Sequence, residues 1–202
     1  MSAEIWNERY ASKDYVWTIT VNQFVEANLA GLEPGTAIDL GAGEGRNAVW
    51  LASLGWHVTA VDYSPVGLEK GRRLAADHGV EDKIEFVVGD AVTWEPTEPA
   101  DLVVLSYLQL PKDQRAAVLD HAAQWLRPGG TVFVIAHDAS NVADGYGGPP
   151  TAAVCYTVEE CTDAFADLEI TTAEVAERHV DTPDGVKTAL DTLVIAKLAP
   201  AS

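Results

Sequence analysis

With 202 residues, 48% of them hydrophobic and 22% charged, the chain has the size and balance of one soluble globular domain rather than a disordered segment. Its formal net charge of −18 opposes any polyanion, and no Lys/Arg run offsets it. Nucleic acid and anionic membranes are therefore poor partners for its body. Cys155 and Cys161 have neither C-x-x-C nor disulfide-framework spacing, which suits a reducing compartment. The N-terminus lacks a signal-peptide pattern, and no apolar run approaches the ~20 residues that span a bilayer, so a cytoplasmic protein is expected.

Residues 1–35 precede the first strand. Trp6, Tyr10, Tyr15 and Trp17 are concentrated there, followed by Phe24, Val25, Leu29 and Leu32 at helical spacing, and Pro34-Gly35 ends the stretch. From residue 36 strands and helices alternate. Residues 36–40 form a strand, 46–54 a helix stopped by Gly55, and 57–62 a second strand closed by the carboxylate of Asp62. Ser64-Pro65 supplies a cap and a first-turn proline for a helix running to about residue 78, with Gly79 at its end. Strands follow at 84–88 and 101–105, then a helix at 113–125 and a β-branched fifth strand at 131–136. Such near-continuous apolar runs separated by helices predict an α/β fold with a parallel sheet covered on both faces.

Beyond the fifth strand the order changes. A Gly/Pro-rich loop at 141–150 carries Tyr146, and a short helix spans about 158–165. Two long stretches, 168–180 and 187–198, are joined by Asp181-Thr182-Pro183-Asp184-Gly185. Strands joined by so short a turn are antiparallel neighbours.

The chemistry centres on Ala37-Ile38-Asp39-Leu40-Gly41-Ala42-Gly43-Glu44-Gly45-Arg46. A strand runs through a glycine turn into a helix, a geometry expected to present free backbone N–H groups and a partial positive charge. The Asp-x-Gly-x-Gly-x-Gly pattern resembles motif I of the class I S-adenosylmethionine (SAM)-dependent methyltransferases. A dinucleotide fingerprint would place its third glycine one position later, where Arg46 stands. Leu126-Arg127-Pro128-Gly129-Gly130 resembles the segment that precedes the fifth strand in that family. Trp6-x-x-x-Tyr10 with Trp17 resembles the opening segment of its small-molecule branch, the tellurite-resistance and thiopurine methyltransferase-like enzymes, although Val16-Trp17-Thr18 departs from the usual Pro-Trp-Asp.

The resemblance implies a single Rossmann-like, doubly wound domain over residues 36–198, with a mostly parallel seven-stranded sheet ending in an antiparallel hairpin. It makes residues 1–35 a helical, aromatic lid over the cofactor, Trp17 included. The competing reading of that segment is an amphipathic helix that uses its aromatics as a core anchor.

Ligands of open parallel sheets bind beyond the carboxyl ends of the strands. Asp39, Gly41, Ala42, Gly43 and Gly45 are placed there for the amino-acid part of SAM. Asp62 lies 21 positions beyond Gly41, near the ~20-residue spacing of a ribose-binding carboxylate, with Tyr63 beside it. Its alternative role is to cap the helix that follows. The family resemblance implies adenine contacts from Asp90 and from the backbone of Ala91; a plain surface turn is the other reading. By the same resemblance Ser106 and Tyr107 fall beside the sulfonium, where Tyr107 either meets the acceptor or caps the core. His137, next to Asp138, is the candidate general base, because an imidazole titrates near neutrality. The other histidines (57, 78, 121, 179) show no metal-ligand spacing, so no metal is expected.

The function expected is methyl transfer from SAM to a small-molecule S, N or O nucleophile. The rivals are an NAD-dependent oxidoreductase, which the absence of a Tyr-x-x-x-Lys pair disfavours, and a non-catalytic SAM-binding protein. The acceptor and the oligomeric state stay open.

Overall fold

The computed structural model describes residues 3–16 and 18–201, so Trp17 lies outside the described residues. In chain order the elements are α1 (Ala3–Ala11), α2 (Gln23–Leu29), β1 (Thr36–Leu40), α3 (Arg46–Ser53), β2 (His57–Asp62), α4 (Pro65–His78), β3 (Ile84–Val88) and β4 (Ala100–Ser106). There follow α5 (Lys112–Gln124), β5 (Leu126–His137), α6 (Asn141–Asp144), α7 (Val158–Ala164), β6 (Glu169–Thr182) and β7 (Gly185–Lys197). The strands form one sheet in the order β3-β2-β1-β4-β5-β7-β6, the α/β Rossmann-like arrangement with a terminal antiparallel hairpin.

The chain divides into two compact units, one ending at Ser106 and one beginning at Tyr107. In the first, β1 pairs in parallel with β2 and β4, and β2 with β3. Ile38, Leu40, Val58, Val61, Leu102 and Val104 are all buried, as expected of strands whose two faces are both covered. Helix α3 buries Ala48, Val49, Leu51 and Ala52, and α4 buries Leu68, Leu74 and Ala75. Ser64 caps α4 by accepting from Gly67 N at 3.1 Å, and Gly79 closes it in the left-handed region.

In the second unit β7 pairs antiparallel with both β5 and β6. Strand β5 starts at Leu126, not at Thr131 as the sequence suggests. The Pro-Gly-Gly stretch continues the pairing, with Gly129 N donating to Leu198 O and Leu198 N to Gly130 O, each at 2.9 Å. The hairpin between β6 and β7 is tighter than expected, since Thr182 and Gly185 are themselves paired across Pro183-Asp184. Edge strand β6 carries Glu169, Glu174 and Glu177, charges that discourage further strand addition. Among the described residues no helix is long and apolar enough to cross a membrane.

Candidate functional site

The glycine turn follows β1. Gly41, Gly43 and Gly45 all have left-handed backbone, at φ 78°, 56° and 75°. Four amides of the turn are committed internally, which corrects the expectation of free N–H groups at those positions. Gly41 N and Ala42 N both donate to Val61 O, at 2.8 and 3.0 Å, Gly43 N donates to Asp62 Oδ2 at 2.9 Å, and Gly45 N to Ala42 O at 2.9 Å. A phosphate would need several of those donors unspent. What the turn offers a ligand is close backbone approach beside buried carboxylates.

Two of those carboxylates are Asp62 and Asp39. Asp62 accepts from Gly43 N through one oxygen and from Ser64 N, at 2.8 Å, through the other. It thus fixes the glycine turn and opens α4 at once, so both sequence-based roles are compatible. Burial pushes its carboxyl above the ordinary range in spite of the two amide donors. Asp39 is buried at the end of β1 and its Oδ2 has no hydrogen-bond partner. Burial first, then the charge of Asp62, raises its carboxyl to about 7, opposed by the Ala48 amide and by Arg46.

Tyr63 is half-buried next to Asp62. Burial, with the charges of Asp62 and Asp90 added, pushes its phenol up to about 12. Asp90 is exposed past β3 and accepts from Val92 N at 2.9 Å, so the carboxylate stabilises its own turn and keeps its second oxygen accessible. Ala91 is half-buried beside it, and Ser106 is half-buried at the end of β4.

Sequence reasoning missed Glu44 and Lys70, which tie residues 10–16 to the glycine turn. Lys70 Nζ donates to Tyr10 O at 2.5 Å, to Lys13 O at 2.6 Å and to Glu44 Oε1 at 2.9 Å. Glu44 also accepts from Val16 N at 3.0 Å. Asn7 Oδ1 accepts from Ser64 Oγ at 2.5 Å. Packing is equally close: a Cβ on Gly43 would sit 2.7 Å from Tyr10 Oη, and one on Gly67 would sit 2.8 Å from Gly43 O. The one available signal was a glutamate inside a glycine turn, a place where small residues are the rule.

In the second unit the β5–β7 register sets His137 directly opposite Asp191, and the β6–β7 register sets Ala176 opposite Asp191. Arg178, two residues on from Ala176, shares that face and reaches Asp191 diagonally. Asp191 Oδ2 accepts from Arg178 Nε at 2.7 Å and from Tyr107 Oη at 2.8 Å, and His137 Nδ1 lies 3.2 Å from Oδ1. Tyr107 has φ 54° and is the one non-glycine among the described residues in the left-handed region. Its phenol is held well above its ordinary value by burial and by Asp191, so it is a donor and not a base.

Asp138, adjacent to His137, is not its partner. Successive strand residues face opposite sides. Asp138 accepts instead from Thr192 Oγ1 at 2.6 Å and from Ser140 N at 2.9 Å. Tyr146 is exposed, and both cysteines are buried free thiols, Cys161 being pushed up to about 12 by burial. Among the described residues no group of His, Cys, Asp and Glu could hold a metal ion.

Residues 37–130 match a family model described as a methyltransferase domain. Demethylmenaquinone methyltransferase of Clavibacter sepedonicus is 33% identical over 122 residues, 60% of this chain and 47% of that protein. Thiocyanate methyltransferase 1 of Arabidopsis thaliana is 28% identical over 133 residues, 65% of this chain and 57% of that one. The chain thus spans about half the length of the curated relatives it matches. In three dimensions it resembles TehB from Haemophilus influenzae, with a TM-score of 0.76 at 19% identity over 95% of this chain and 67% of that one.

Proposed function

We propose that the chain is a class I SAM-dependent methyltransferase that transfers a methyl group from SAM to a small-molecule acceptor, a reading supported by the methyltransferase-domain match over residues 37–130. The observation that carries this reading is the state of the glycine turn. Its amides are spent on Val61, Asp62 and Ala42, while Asp39 Oδ2 is buried and unpartnered. A donor-rich cation completes such a site, whereas a pyrophosphate does not. SAM has ribose hydroxyls for Asp62 and an ammonium group for the acidic floor of the turn.

In this reading Asp62 orients the ribose, Tyr63 lies alongside, and Asp90 with the Ala91 amide receives the adenine edge. Residues 3–16, strapped by Lys70 and Glu44, act as the lid that keeps water out. Bound SAM supplies an already activated methyl group on its sulfonium. The protein contributes alignment and desolvation. A small acceptor accords with the net charge of −18 and with two relatives whose names denote small-molecule methylation.

Calorimetric titration with SAM, S-adenosylhomocysteine and NAD tests the proposal. Micromolar binding of the first two and none of NAD is expected, and binding of NAD alone overturns it. Methylated product from an acceptor panel then separates an enzyme from a SAM-binding protein without catalysis.

A further inference from the structure

We propose that the β6–β7 hairpin carries a binding site for a small organic carboxylate, which docks on the end of the Arg178 guanidinium with Lys187 beside it. Every residue of this site belongs to the second unit, and the site does not depend on the methyltransferase reading.

The hairpin outruns β5. The β5–β7 ladder runs from Lys197 to Asp191, whereas β6 and β7 stay paired as far as Thr182 and Gly185. Residues 177–182 and 185–190 thus form a two-stranded arm, and strand alternation sorts its side chains. Arg178 is paired with Ala189 and Val180 with Lys187, so these four share one face. Glu177, His179 and Asp181 take the other face. Arg178 and Lys187 are diagonal neighbours, at a separation of about 7–8 Å that long side chains span. Glu174 shares their face but stands four residues before Arg178, about 13 Å away by strand rise. That exceeds the ~8–10 Å over which surface charges act. A face whose two arm cations are turned away from the arm's own acids is unexpected in a chain of net charge −18.

Arg178 is held as a receptor and not as a closed ion pair. Its Nε donates to Asp191 Oδ2 at 2.7 Å and to Tyr107 Oη at 3.1 Å, and its Cζ stands 5.7 Å over the Tyr107 ring. An arginine and a carboxylate commonly close through two parallel bonds. Here Oδ2 also takes the Tyr107 hydroxyl at 2.8 Å, and Oδ1 is 3.2 Å from His137 Nδ1. The two terminal amino groups of Arg178 therefore have no hydrogen-bond partner among the described residues, and the side chain is 24% exposed. Burial works against the charge of Arg178, but the bonds to Asp191 and Tyr107 raise its pKa above the ordinary value, so it stays cationic. Lys187 is exposed and makes no hydrogen bond or ion pair among the described residues.

Fixing Nε leaves the far end of a planar fork, two N–H groups side by side, which matches the two oxygens of a carboxylate. A fork already immobilised loses little freedom on binding. Arg178, Lys187 and Asp191 together carry one positive charge. A monoanionic carboxylate cancels it, whereas a dianionic phosphate overshoots. The organic acid enters either as the methyl acceptor or as a separate effector.

Calorimetric and proton–nitrogen NMR titrations without SAM test the site, with benzoate as probe and benzamide and inorganic phosphate as controls. Benzoate is expected to bind saturably and to move the Arg178 Nε–H resonance, assigned through Arg178→Lys, while benzamide does neither. Arg178→Lys keeps the charge but loses the fork, and is expected to weaken benzoate about tenfold, the scale of one charge-assisted hydrogen bond. Lys187→Ala, on the exposed arm, is expected to weaken it about threefold, the scale of an exposed charge contact. If Arg178→Lys does not fold, Lys187→Ala and the benzoate-induced shift of an arginine Nε–H resonance decide. Absence of benzoate binding overturns the proposal, as does equal binding of benzamide, tighter binding of phosphate, or benzoate binding that leaves the Arg178 resonance unmoved. Hydroxy-, amino- and mercaptobenzoates with SAM then separate the two sources. A methylated product whose KM rises in Lys187→Ala marks the acceptor's carboxylate, and binding without any product marks an effector. Failure of SAM to bind overturns the methyltransferase reading alone, since the benzoate titration contains no SAM.

Discussion

The carboxylate of Asp62 is bound to the amide of Gly43 across 19 positions of sequence, at 2.9 Å. One side chain thereby joins the end of β2 to the glycine turn, so the ligand-binding role assigned to it and the shape of the turn are coupled. Asp62→Ala is expected to weaken SAM binding by about 1.5–3 kcal/mol, the scale of hydrogen bonds to a charged group. Asp62→Asn keeps the size but turns one acceptor into a donor facing an amide, and is expected to lose a similar amount. Calorimetry on folded variants checks both, and unchanged affinity removes the ribose assignment.

The packing of Gly67 on the turn gives a test of close approach separate from backbone angle. Gly67 is inside α4 with ordinary helical backbone, where alanine is favoured by about 1 kcal/mol. Its Cβ would nevertheless stand 2.8 Å from Gly43 O and 3.1 Å from Tyr10 Cε2. Overpacking of this kind costs about 1–3 kcal/mol. Gly67→Ala is thus expected to be destabilising on balance in urea unfolding, and a stabilised variant would show that α1 and the turn yield easily.

Lys70 and Glu44 form a nearly buried pair, with side chains 12% and 4% exposed. Removing Lys70 takes the cation from Glu44, which keeps the Val16 amide, so the cost is expected below the roughly 3–5 kcal/mol of a fully uncompensated buried charge. Lys70→Met is expected to show that loss in denaturant unfolding, and to speed amide exchange across residues 10–16, whose carbonyls at Tyr10 and Lys13 it holds. If exchange there is unaltered, the strap does not hold the segment in place.

These particulars show where the sequence was legible. The bounds of β1, β2, β3 and α4 follow from local signals: apolar runs, Ser64-Pro65 at a helix start, Gly79 at its end. The glycine spacing and the acid at 62 likewise sit where the chain order puts them. Interactions set by register or by distant packing were not readable. Asp138 lies beside His137 in sequence, but strand alternation turns it away, and the partner is Asp191, 54 residues later, brought opposite by the β5–β7 pairing. The Pro-Gly-Gly before β5 reads as a turn because nothing local announces its partner Leu198. Glu44 and Lys70 were missed for a similar reason, since a buried charge pair has no periodic signature.

Asp39 supplies a prediction in which stability and binding move in opposite directions. Its carboxyl in the folded protein is raised to about 7, by burial and then by Asp62, whereas in the unfolded chain it titrates near 3.9. A raised folded value means that the protonated form is the one favoured by folding. The contribution is intact below about pH 4 and is lost as pH climbs toward 7, a change on the order of 4 kcal/mol. Asp39→Asn removes this dependence, so the variant is expected to match wild type at pH 4 and to exceed it at pH 8 in urea unfolding. The same change removes the buried anion that a cationic ligand completes. SAM affinity is expected to fall by an order of magnitude or more, equal to about 1.4 kcal/mol. Wild-type binding at pH 7 is expected to release protons, visible as a dependence of the calorimetric heat on the ionisation enthalpy of the buffer. Parallel stability curves for the two proteins from pH 4 to pH 8, with no proton release, would mean that Asp39 titrates in the folded protein as it does in the unfolded chain, so that its carboxyl is not raised by burial.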